Sequence, residues 1–340
     1  MRTGFSLDEM RSVECEVIIV CSVYNQEDVV KDALEGFVKQ KTSFPFVALV
    51  HDDASTDSTA QIVMEYAERY PSIIKGIYDS ENQYQQNKLF WYLDFLRESK
   101  AHFIAICEGD DYWIEDEKLE KQYQQLIRNP NCSFCFTNAV KIDYTSGRSL
   151  GAMLPAYSWE KRILKKGKLD TVDLLRITFL PTATFFARKD AWLLEPILPD
   201  KAFKGDRAHQ IFLSLHGDAC YIDAVTSVYR VNNTSSLMGN WAESSSKMVS
   251  VLDSYIELYK FFDTYSEFSF HNAVQDAIDL KLFDKMLLTS EKELLSSKSA
   301  YKIAARRGLP GILKCFLFQL SPAIYHFIRN VGRFIRPREQ

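Results

Sequence analysis

The chain has 340 residues, of which 46% are hydrophobic and 25% charged, and its formal net charge at pH 7 is −4. This length allows two domains, or one domain with an elaborated tail, and the composition is that of a globular protein with a substantial core. The acidic net charge gives no reason to expect a nucleic-acid partner.

In the first 140 residues, short apolar runs alternate with segments of helical periodicity. The predicted strands are 16–24, 44–51, 73–78, 102–107 and 133–140. The predicted helices between them are 28–41, 58–70, 89–96 and 118–128. Ser58 and Gln61 match a capping box at the start of the second of these helices. Strand and helix in alternation predict an α/β fold with a mostly parallel central sheet built by right-handed crossovers.

The alternation loosens after residue 140. We predict strands at 182–188 and 221–231, with a helix from Asp206 to Leu215 between them. Residues 244–290 are amphipathic with helical spacing, which predicts helical structure over this segment. The sequence therefore predicts a catalytic domain over residues 1–240 and a helical C-terminal extension over 241–340.

Acidic residues follow two of the predicted strands. Asp52 and Asp53 end the second, and Glu108-Gly109-Asp110-Asp111 ends the fourth. Ligands of open α/β sheets bind at the carboxyl ends of the strands, and neighbouring carboxylates repel each other unless a cation or donors lie between them. Mg²⁺ and Mn²⁺ favour a few carboxylates together with substrate phosphates. The pattern thus predicts a nucleoside-diphosphate site, the alternative being carboxylates that only cap helices and form turns.

The sequence contains neither the GxGxxG nor the GxxxxGK[ST] phosphate-binding pattern, so the strand-end carboxylates are the best candidates to hold a nucleotide. Asp52 or Asp53 would accept hydrogen bonds from a base imide or from ribose hydroxyls. Tyr24 and Asn25, which end the first strand, would line the base pocket. The metal ligands would be Glu108, Asp110 and Asp111.

Several segments together resemble the GT-A-fold glycosyltransferases usually called family 2. The resemblance covers residues 14–235 and rests on CSVYNQED, HDDASTDSTAQIV, CEGDDYWIEDEKLEKQ and, less closely, KGDRAHQIFLSLHGDACYIDAVTSVYR. It implies that Asp52 and Asp53 contact the nucleoside and that Glu108, Asp110 and Asp111 hold Mn²⁺ or Mg²⁺, although the family usually has Asp where Glu108 stands. It also implies that Asp206 is the catalytic base. The alternative for Asp206 is a helix N-cap.

The same resemblance suggests roles for further polar and aromatic residues. Asn82 and Lys88 would border the nucleotide, and Tyr112 and Trp113 would frame the acceptor sugar, with core packing as the alternative for the two aromatic rings. Arg230 would contact a phosphate, or else be solvated or paired with a carboxylate. His209, one turn after Asp206, is more typical of a structural histidine.

The C-terminal end of the chain has a charge opposite to that of the rest. Residues 301–340 contain eight Lys and Arg against one Glu, a net charge of +7, which leaves −11 for residues 1–300. Residues 309–328 are largely apolar with basic residues on both sides, as in segments that lie in the interface of an anionic membrane. The alternative is a closing helix packed on the protein. No apolar stretch reaches the roughly 18 residues of a membrane span, so we expect a cytoplasmic protein, peripheral on the inner face of the membrane.

Taken together, the sequence predicts an inverting, metal-dependent transferase that moves a hexose (glucose, galactose or an N-acetylhexosamine) from a UDP-sugar to a glycan acceptor. The resemblance implies a polyprenyl-diphosphate-linked acceptor in bacterial surface polysaccharide (O-antigen or capsule) synthesis. Two alternatives stay open: an inactive glycan-binding scaffold with the same fold, and a sugar-phosphate nucleotidyltransferase.

Overall fold

The computed structural model describes residues 2–86, 88, 90–177, 179–232, 244–294, 296–306, 309–322 and 325. The chain divides into two compact units. Unit 1 comprises Met1–Ile197 and Lys204–Ser236, and unit 2 comprises Leu198–Phe203 and Leu237–Gln340. The predicted domain boundary after residue 240 lies outside the described residues.

Unit 1 is an α/β structure. Its strands are β1 (Arg2–Gly4), β2 (Val17–Val23), β3 (Phe46–Asp52), β4 (Ile74–Asp79), β5 (Phe103–Ile106), β6 (Tyr112–Trp113), β7 (Cys132–Asp143), β8 (Ser149–Ala152), β9 (Lys168–Leu169), β10 (Phe186–Arg188) and β11 (Asp218–Val231). Its helices are α1 (Leu7–Ser12), α2 (Val30–Val38), α3 (Thr59–Arg69), α4 (Leu93–Glu98), α5 (Lys118–Arg128), α6 (Glu160–Leu164), α7 (Thr171–Arg176), α8 (Lys189–Leu193) and α9 (Asp206–Leu213). The strand–helix alternation predicted up to residue 140 is confirmed.

The strands form one mixed sheet in the order β1-β4-β3-β2-β5-β10-β7-β11-β6, with β8 beside β7 and β9 beside β11. The pairs β2–β3, β3–β4, β2–β5 and β7–β11 are parallel, and the remaining pairs are antiparallel. Because β3, β2 and β5 are adjacent and parallel, their carboxyl ends lie at one edge of the sheet. This arrangement brings the residues that follow those strands together.

The sheet is buried on both faces. Along β2, Ile18 and Val20 pack into one apolar core while Val17, Ile19 and Cys21 pack into the other. Strands covered on both faces read as continuous apolar runs rather than as alternating patterns. That burial explains why the short apolar runs were reliable strand signals.

Two local predictions in unit 1 are wrong. Residues 182–188 were expected to be a strand, but Thr182–Thr184 form a 3₁₀ turn and only Phe186–Arg188 pair in the sheet. The Ser58 side chain makes no capping hydrogen bond at the start of α3. Asp57 replaces it, because its Oδ1 accepts the backbone N–H of Thr59 at 2.9 Å.

Unit 2 is helical in its described part. Its α-helices are α10 (Ser245–Tyr265), α11 (His271–Thr289), α12 (Ser297–Arg306) and α13 (Leu309–Leu320), with a 3₁₀ turn at Lys292–Leu294. The helical pattern predicted over 244–290 is confirmed, and the structure divides this segment into two helices. The chain turns at Glu267 and Phe268, whose φ angles are 50° and 60°, in the left-handed region that ends a helix. None of the described helices has the length and apolar character needed to cross a bilayer.

Lys118, the first residue of α5, is fully buried. Its Nζ donates to Gln122 Oε1 at 2.6 Å and lies 4.1 Å from the centroid of the Trp113 ring. Within the described residues no carboxylate forms an ion pair with it. Burial lowers the pKa of Lys118 to about 7.

We expect Lys118 to give the protein a measurable pH dependence of stability. Between pH 7 and about 10 the unfolded chain binds a proton at Lys118 that the folded chain does not, so folding becomes more favourable as pH rises. The free energy of unfolding of the wild type, minus that of Lys118→Met, should rise by about 1 kcal/mol per pH unit over this window. Urea denaturation of both proteins at pH 6.5, 8 and 9 tests this, because other titrating groups cancel in the difference. A constant difference would contradict a buried, proton-losing Lys118.

Candidate active site

The acidic turn, residues 108–111, connects β5 to β6 beside the end of β2. The backbone N–H of Gly109 donates to the Ser22 carbonyl at 3.1 Å, and that of Asp111 donates to the Glu108 carbonyl at 3.1 Å. A Cβ on Gly109 would lie 2.4 Å from both Gln26 Oε1 and Val23 Cγ1. Only glycine allows this close approach, so the turn is fixed against the end of the first central strand.

The three carboxyl groups of the acidic turn differ in exposure. Glu108 is exposed. Asp110 is half-buried, whereas Asp111 is only 2% exposed. Burial raises the pKa of all three, and their mutual repulsion adds to this effect for Glu108 and Asp111. Such a set favours a cation between its members, and oxygen ligands of this kind suit Mn²⁺ or Mg²⁺.

Asp206 is the first residue of α9, and Gly205 occupies the N-cap position. The Asp206 carboxylate accepts hydrogen bonds from the Arg207 backbone N–H at 2.7 Å and from Thr182 Oγ1 at 3.3 Å. Burial raises its pKa, and its charge in turn raises the pKa of Glu108. The Thr182 contact also places Asp206 near the acidic turn, because the next residue, Ala183, accepts the Trp113 Nε1–H at 2.8 Å. The N-cap position itself is occupied by Gly205.

Tyr229 shows how the four carboxyl groups converge. Burial raises the pKa of its phenol, and the charges of the acidic turn and of Asp206 all raise it further. The sheet brings β5, β11 and the start of α9 together, although their residues are about 100 positions apart in the sequence. The four carboxyl groups thus lie close enough to Tyr229 for their charges to act on its phenol.

Asp52 and Asp53 have different partners despite being neighbours. Both oxygens of Asp53 accept backbone N–H groups, from Gln83 at 2.5 Å and Tyr84 at 3.0 Å. Asp52 Oδ2 accepts the Ser55 N–H at 3.0 Å, while its Oδ1 is buried without a partner in the described structure. Burial raises the pKa of Asp52. Asp53 thus fixes a loop, and Asp52 has one buried oxygen that no described residue binds.

The other predicted nucleotide-binding residues surround these two. Asn25 Oδ1 accepts the Thr56 N–H at 2.8 Å, while the Tyr24 side chain is exposed. Asn82 Nδ2 donates to the Asp53 carbonyl at 3.2 Å. Lys88 is exposed, and its Nζ donates to a side-chain oxygen of the same loop. The structure thus brings Asn25 and Asn82 to the strand ends, with Tyr24 and Lys88 accessible to solvent.

The two aromatic residues after the acidic turn differ in environment. Tyr112 is half-buried. Trp113 is 4% exposed, its Nε1 donates to the Ala183 carbonyl at 2.8 Å, and its ring packs edge-to-face on Phe37. Core packing, the alternative to an acceptor contact, therefore fits Trp113, whereas Tyr112 stays a candidate for the acceptor side.

His209 is held by Glu195, whose Oε2 lies 2.6 Å from His209 Nδ1, and its ring stacks on Trp192 at 4.1 Å. These contacts fit the structural interpretation of this histidine.

A second group of potential metal ligands, His51, Asp53 and Asp79, was not identified from the sequence. Their ligand atoms lie within 4.8 Å of one another. Asp79 already binds Arg2 through two hydrogen bonds and His51 through a third, and Asp53 binds the loop described above. A cation at this position would compete with Arg2 for Asp79. The signal available in the sequence was the i, i+2 spacing of His51 and Asp53, which places both on one face of a strand end.

Comparison with known proteins agrees with this geometry. The sequence model of the family described as Glycosyl transferase family 2 matches residues 18–192, just over half of the chain.

Two curated relatives match shorter regions. The uncharacterized protein Rv1520 of Mycobacterium tuberculosis is 38% identical over 143 residues, which are 42% of this chain and 40% of the relative. The dTDP-rhamnosyl transferase RfbG of Shigella flexneri is 32% identical over 130 residues, which are 37% of this chain and 43% of the relative. The chain thus spans about two fifths of the length of these relatives.

Among solved structures, the mannosyltransferase PcManGT from Pyrobaculum calidifontis, in complex with GDP-Man and Mn²⁺, gives a TM-score of 0.53 at 14% identity. The likeness covers 97% of this chain and 89% of that one. It confirms the predicted GT-A fold, whose central sheet is mixed rather than mostly parallel because four of its ten described strand pairs are parallel.

Proposed function

The chain belongs to glycosyl transferase family 2 and is therefore a glycosyltransferase, and we propose that it is an inverting, metal-dependent enzyme that transfers a hexose from a UDP-sugar to a glycan acceptor. The observation that carries this proposal is the 3₁₀ turn that connects the two carboxylate groups: Thr182 donates to Asp206, and Ala183 accepts the Trp113 Nε1–H two residues after the acidic turn. The acidic turn suits a diphosphate with its metal ion, and Asp206 suits an acceptor hydroxyl.

In this proposal Asp206 takes the proton of the acceptor hydroxyl as its oxygen attacks the anomeric carbon of the donor. The new C–O bond forms while the bond to the diphosphate breaks, so that a nucleoside diphosphate leaves and the configuration inverts. Raised by burial, the pKa of Asp206 makes its carboxylate a stronger base than an exposed one. Glu108, Asp110 and Asp111 would hold a divalent metal ion, which when bound supplies positive charge to the diphosphate.

Asp52 is the candidate contact for the base of the donor nucleotide. Its unpartnered Oδ1 can accept the imide N–H of uracil, and thymine and guanine present a similar N–H. RfbG is named for a dTDP-sugar and PcManGT was solved with GDP-Man, so dTDP-rhamnose and GDP-mannose belong beside UDP-glucose, UDP-galactose and the UDP-N-acetylhexosamines as test donors.

Release of the nucleoside diphosphate from this panel, with Mn²⁺ or with EDTA, tests the proposal. We expect metal-dependent turnover of a UDP-sugar. Turnover of dTDP-rhamnose or GDP-mannose alone would contradict the UDP assignment. Neither turnover nor Mn²⁺-dependent nucleotide binding with any donor would contradict the transferase site itself.

A mutation of Asp52 tests whether this carboxylate contacts the base of the donor. Asp52→Ala removes a hydrogen bond to the base, so we expect KM for the donor to rise about tenfold or more with little change in kcat. Asp57→Ala is the matched control, because Asp57 lies in the same segment but binds the backbone N–H groups of Glu27 and Thr59. It should lower thermal stability and leave KM unchanged. Equal KM effects in the two variants would contradict a base contact by Asp52.

The proposed acceptor is lipid-linked, a polyprenyl-diphosphate glycan of a surface polysaccharide, which would place the enzyme at the inner face of the membrane. Helix α13 supports this location. Its exposed apolar residues share one face, opposite the buried Cys315 and Phe318. They are Ile312, Leu313, Phe316 and Leu320. The +7 charge of residues 301–340 complements anionic headgroups.

Sedimentation with vesicles tests the membrane surface. We expect the protein to bind vesicles of phosphatidylglycerol and phosphatidylcholine, and to bind pure phosphatidylcholine much less. The double variant Leu313→Glu, Phe316→Glu should lose most of this binding, because it places two charges on the apolar face. Ile197→Glu is the control, an isolated apolar residue that is 97% exposed in unit 1. Undiminished binding by the double variant would contradict a role for α13.

A further inference from the structure

Arg230 lies opposite the acidic turn because of strand register. In the antiparallel pairing of β11 with β6, Ser227 faces Trp113 and Val228 faces Tyr112. Continuing that register by two residues places Arg230 opposite Asp110. A shift of one residue would turn the Arg230 side chain to the other face of the sheet.

Arg230 connects three parts of unit 1, namely the acidic turn, strand β11 and helix α2. Its backbone N–H donates to Asp111 Oδ1 at 3.1 Å, and its Nη1 donates to the Asp110 carbonyl oxygen at 2.7 Å. Its Nη2 forms an ion pair with Asp32 in the first turn of α2, and its guanidinium lies 4.5 Å from the centroid of the Tyr112 ring. The acidic turn is thereby bound to β11 on one side and to α2 on the other.

The Arg230 side chain is only 9% exposed, whereas that of Asp32 is 53% exposed. A guanidinium removed from water must have its donors satisfied, and here both terminal nitrogens already bind protein oxygens. Carboxylate pairing, one of the alternatives from the sequence, is present in the structure through Nη2 and Asp32. The partners of the guanidinium are the Asp110 carbonyl oxygen of the acidic turn and the Asp32 carboxylate, which lies outside the turn.

We propose that Arg230 is a positioning residue that fixes the conformation of the acidic turn, so that the carboxylates of Asp110 and Asp111 are held ready for the metal ion. Arginine suits this task because its planar fork can bind a carbonyl and a carboxylate at once, which a lysine ammonium does with less geometric control. The inference rests on the proposed function only for the identity of the bound metal. The effect on the turn itself holds without any ligand.

Hydrogen exchange of the metal-free protein tests the effect on the turn. In Arg230→Gln we expect the amide hydrogens of Gly109 and Asp111 to exchange about tenfold faster than in the wild type, with an intermediate rate in Arg230→Lys. The matched control is Arg188→Gln. Arg188 also binds main-chain carbonyls, those of Cys132 and Leu126, but away from the acidic turn. Arg188→Gln should lower global stability without selectively speeding the exchange of the amide hydrogens of residues 109–111.

Equal protection of these amides in Arg230→Gln and the wild type would overturn the proposal. So would faster exchange that Arg188→Gln reproduces at the same amides, since that would reveal only a general loss of stability. Arg230→Lys keeps the charge and serves as the informative variant if Arg230→Gln does not fold.

Calorimetric titration with Mn²⁺ in the presence of UDP gives the second readout. Groups that orient metal ligands typically change metal affinity by about 10- to 100-fold when mutated, and we expect this loss in Arg230→Gln but not in Arg188→Gln. A wild type that binds no Mn²⁺ would contradict the proposed metal dependence, while the exchange measurement would still decide the role of Arg230. Mn²⁺ binding that is equal in wild type and Arg230→Gln would overturn the positioning role alone.

Discussion

Asp206→Asn should lower kcat for sugar transfer by about 10²- to 10⁴-fold, the usual contribution of a general base, while nucleotide binding stays close to that of the wild type. The amide is nearly the same size as the carboxylate; its oxygen can accept the Arg207 N–H, and its NH2 group can donate to Thr182 Oγ1 in place of the bond that the carboxylate accepts. It cannot accept a proton from the acceptor hydroxyl. Steady-state turnover and calorimetric UDP binding, measured on the same preparation, separate these effects.

Asp170→Asn is the control for this variant, since Asp170 is a true N-cap whose side chain accepts the Asp173 N–H at 2.8 Å. Asn caps helices about as well as Asp, so this variant should keep full activity. The wild type should also lose activity as pH falls through the raised pKa of Asp206, because protonation removes the base. Wild-type turnover in Asp206→Asn would refute the catalytic assignment.

The sequence predicted the central strands well because burial on both faces makes them continuous apolar runs. It predicted the acidic clusters for a related reason, since polar residues directly after such runs mark strand ends. Helix α5 was predicted at the bounds the structure has, Lys118–Arg128. Sequence patterns were sufficient to predict an element wherever its residue types reflect its position in the sheet.

Features that depend on register or on distant partners were not predicted. The contrast between Asp52 and Asp53 depends on which of them meets the N–H groups of Gln83 and Tyr84, about 30 residues away. Arg230 meets Asp110 only through the pairing of β11 with β6, across 120 positions. The break between α10 and α11 was missed because Glu267 and Phe268 are not residues that typically mark a left-handed turn.

Asp110→Ala should abolish Mn²⁺-dependent UDP binding and reduce turnover by at least about 100-fold, because it removes a carboxylate from the proposed metal site. Asp116→Ala is the matched control. Asp116 is a nearby acid whose carboxylate pairs with Lys41 at 2.9 Å on the surface. Its loss should leave Mn²⁺ binding and turnover unchanged. UDP release with Mn²⁺ and with EDTA measures both variants.

The sign of the stability change makes the Asp110 test sharper. Without metal, Asp110 repels Glu108 and Asp111, as the raised pKa values of those two groups indicate. Asp110→Ala should therefore raise the melting temperature of the metal-free protein while it removes the stabilisation that Mn²⁺ and UDP give the wild type. A carboxylate with a purely structural role would show the opposite sign, a lower melting temperature without metal. Function and stability are thus opposed at this turn, as expected where like charges are held together for a ligand.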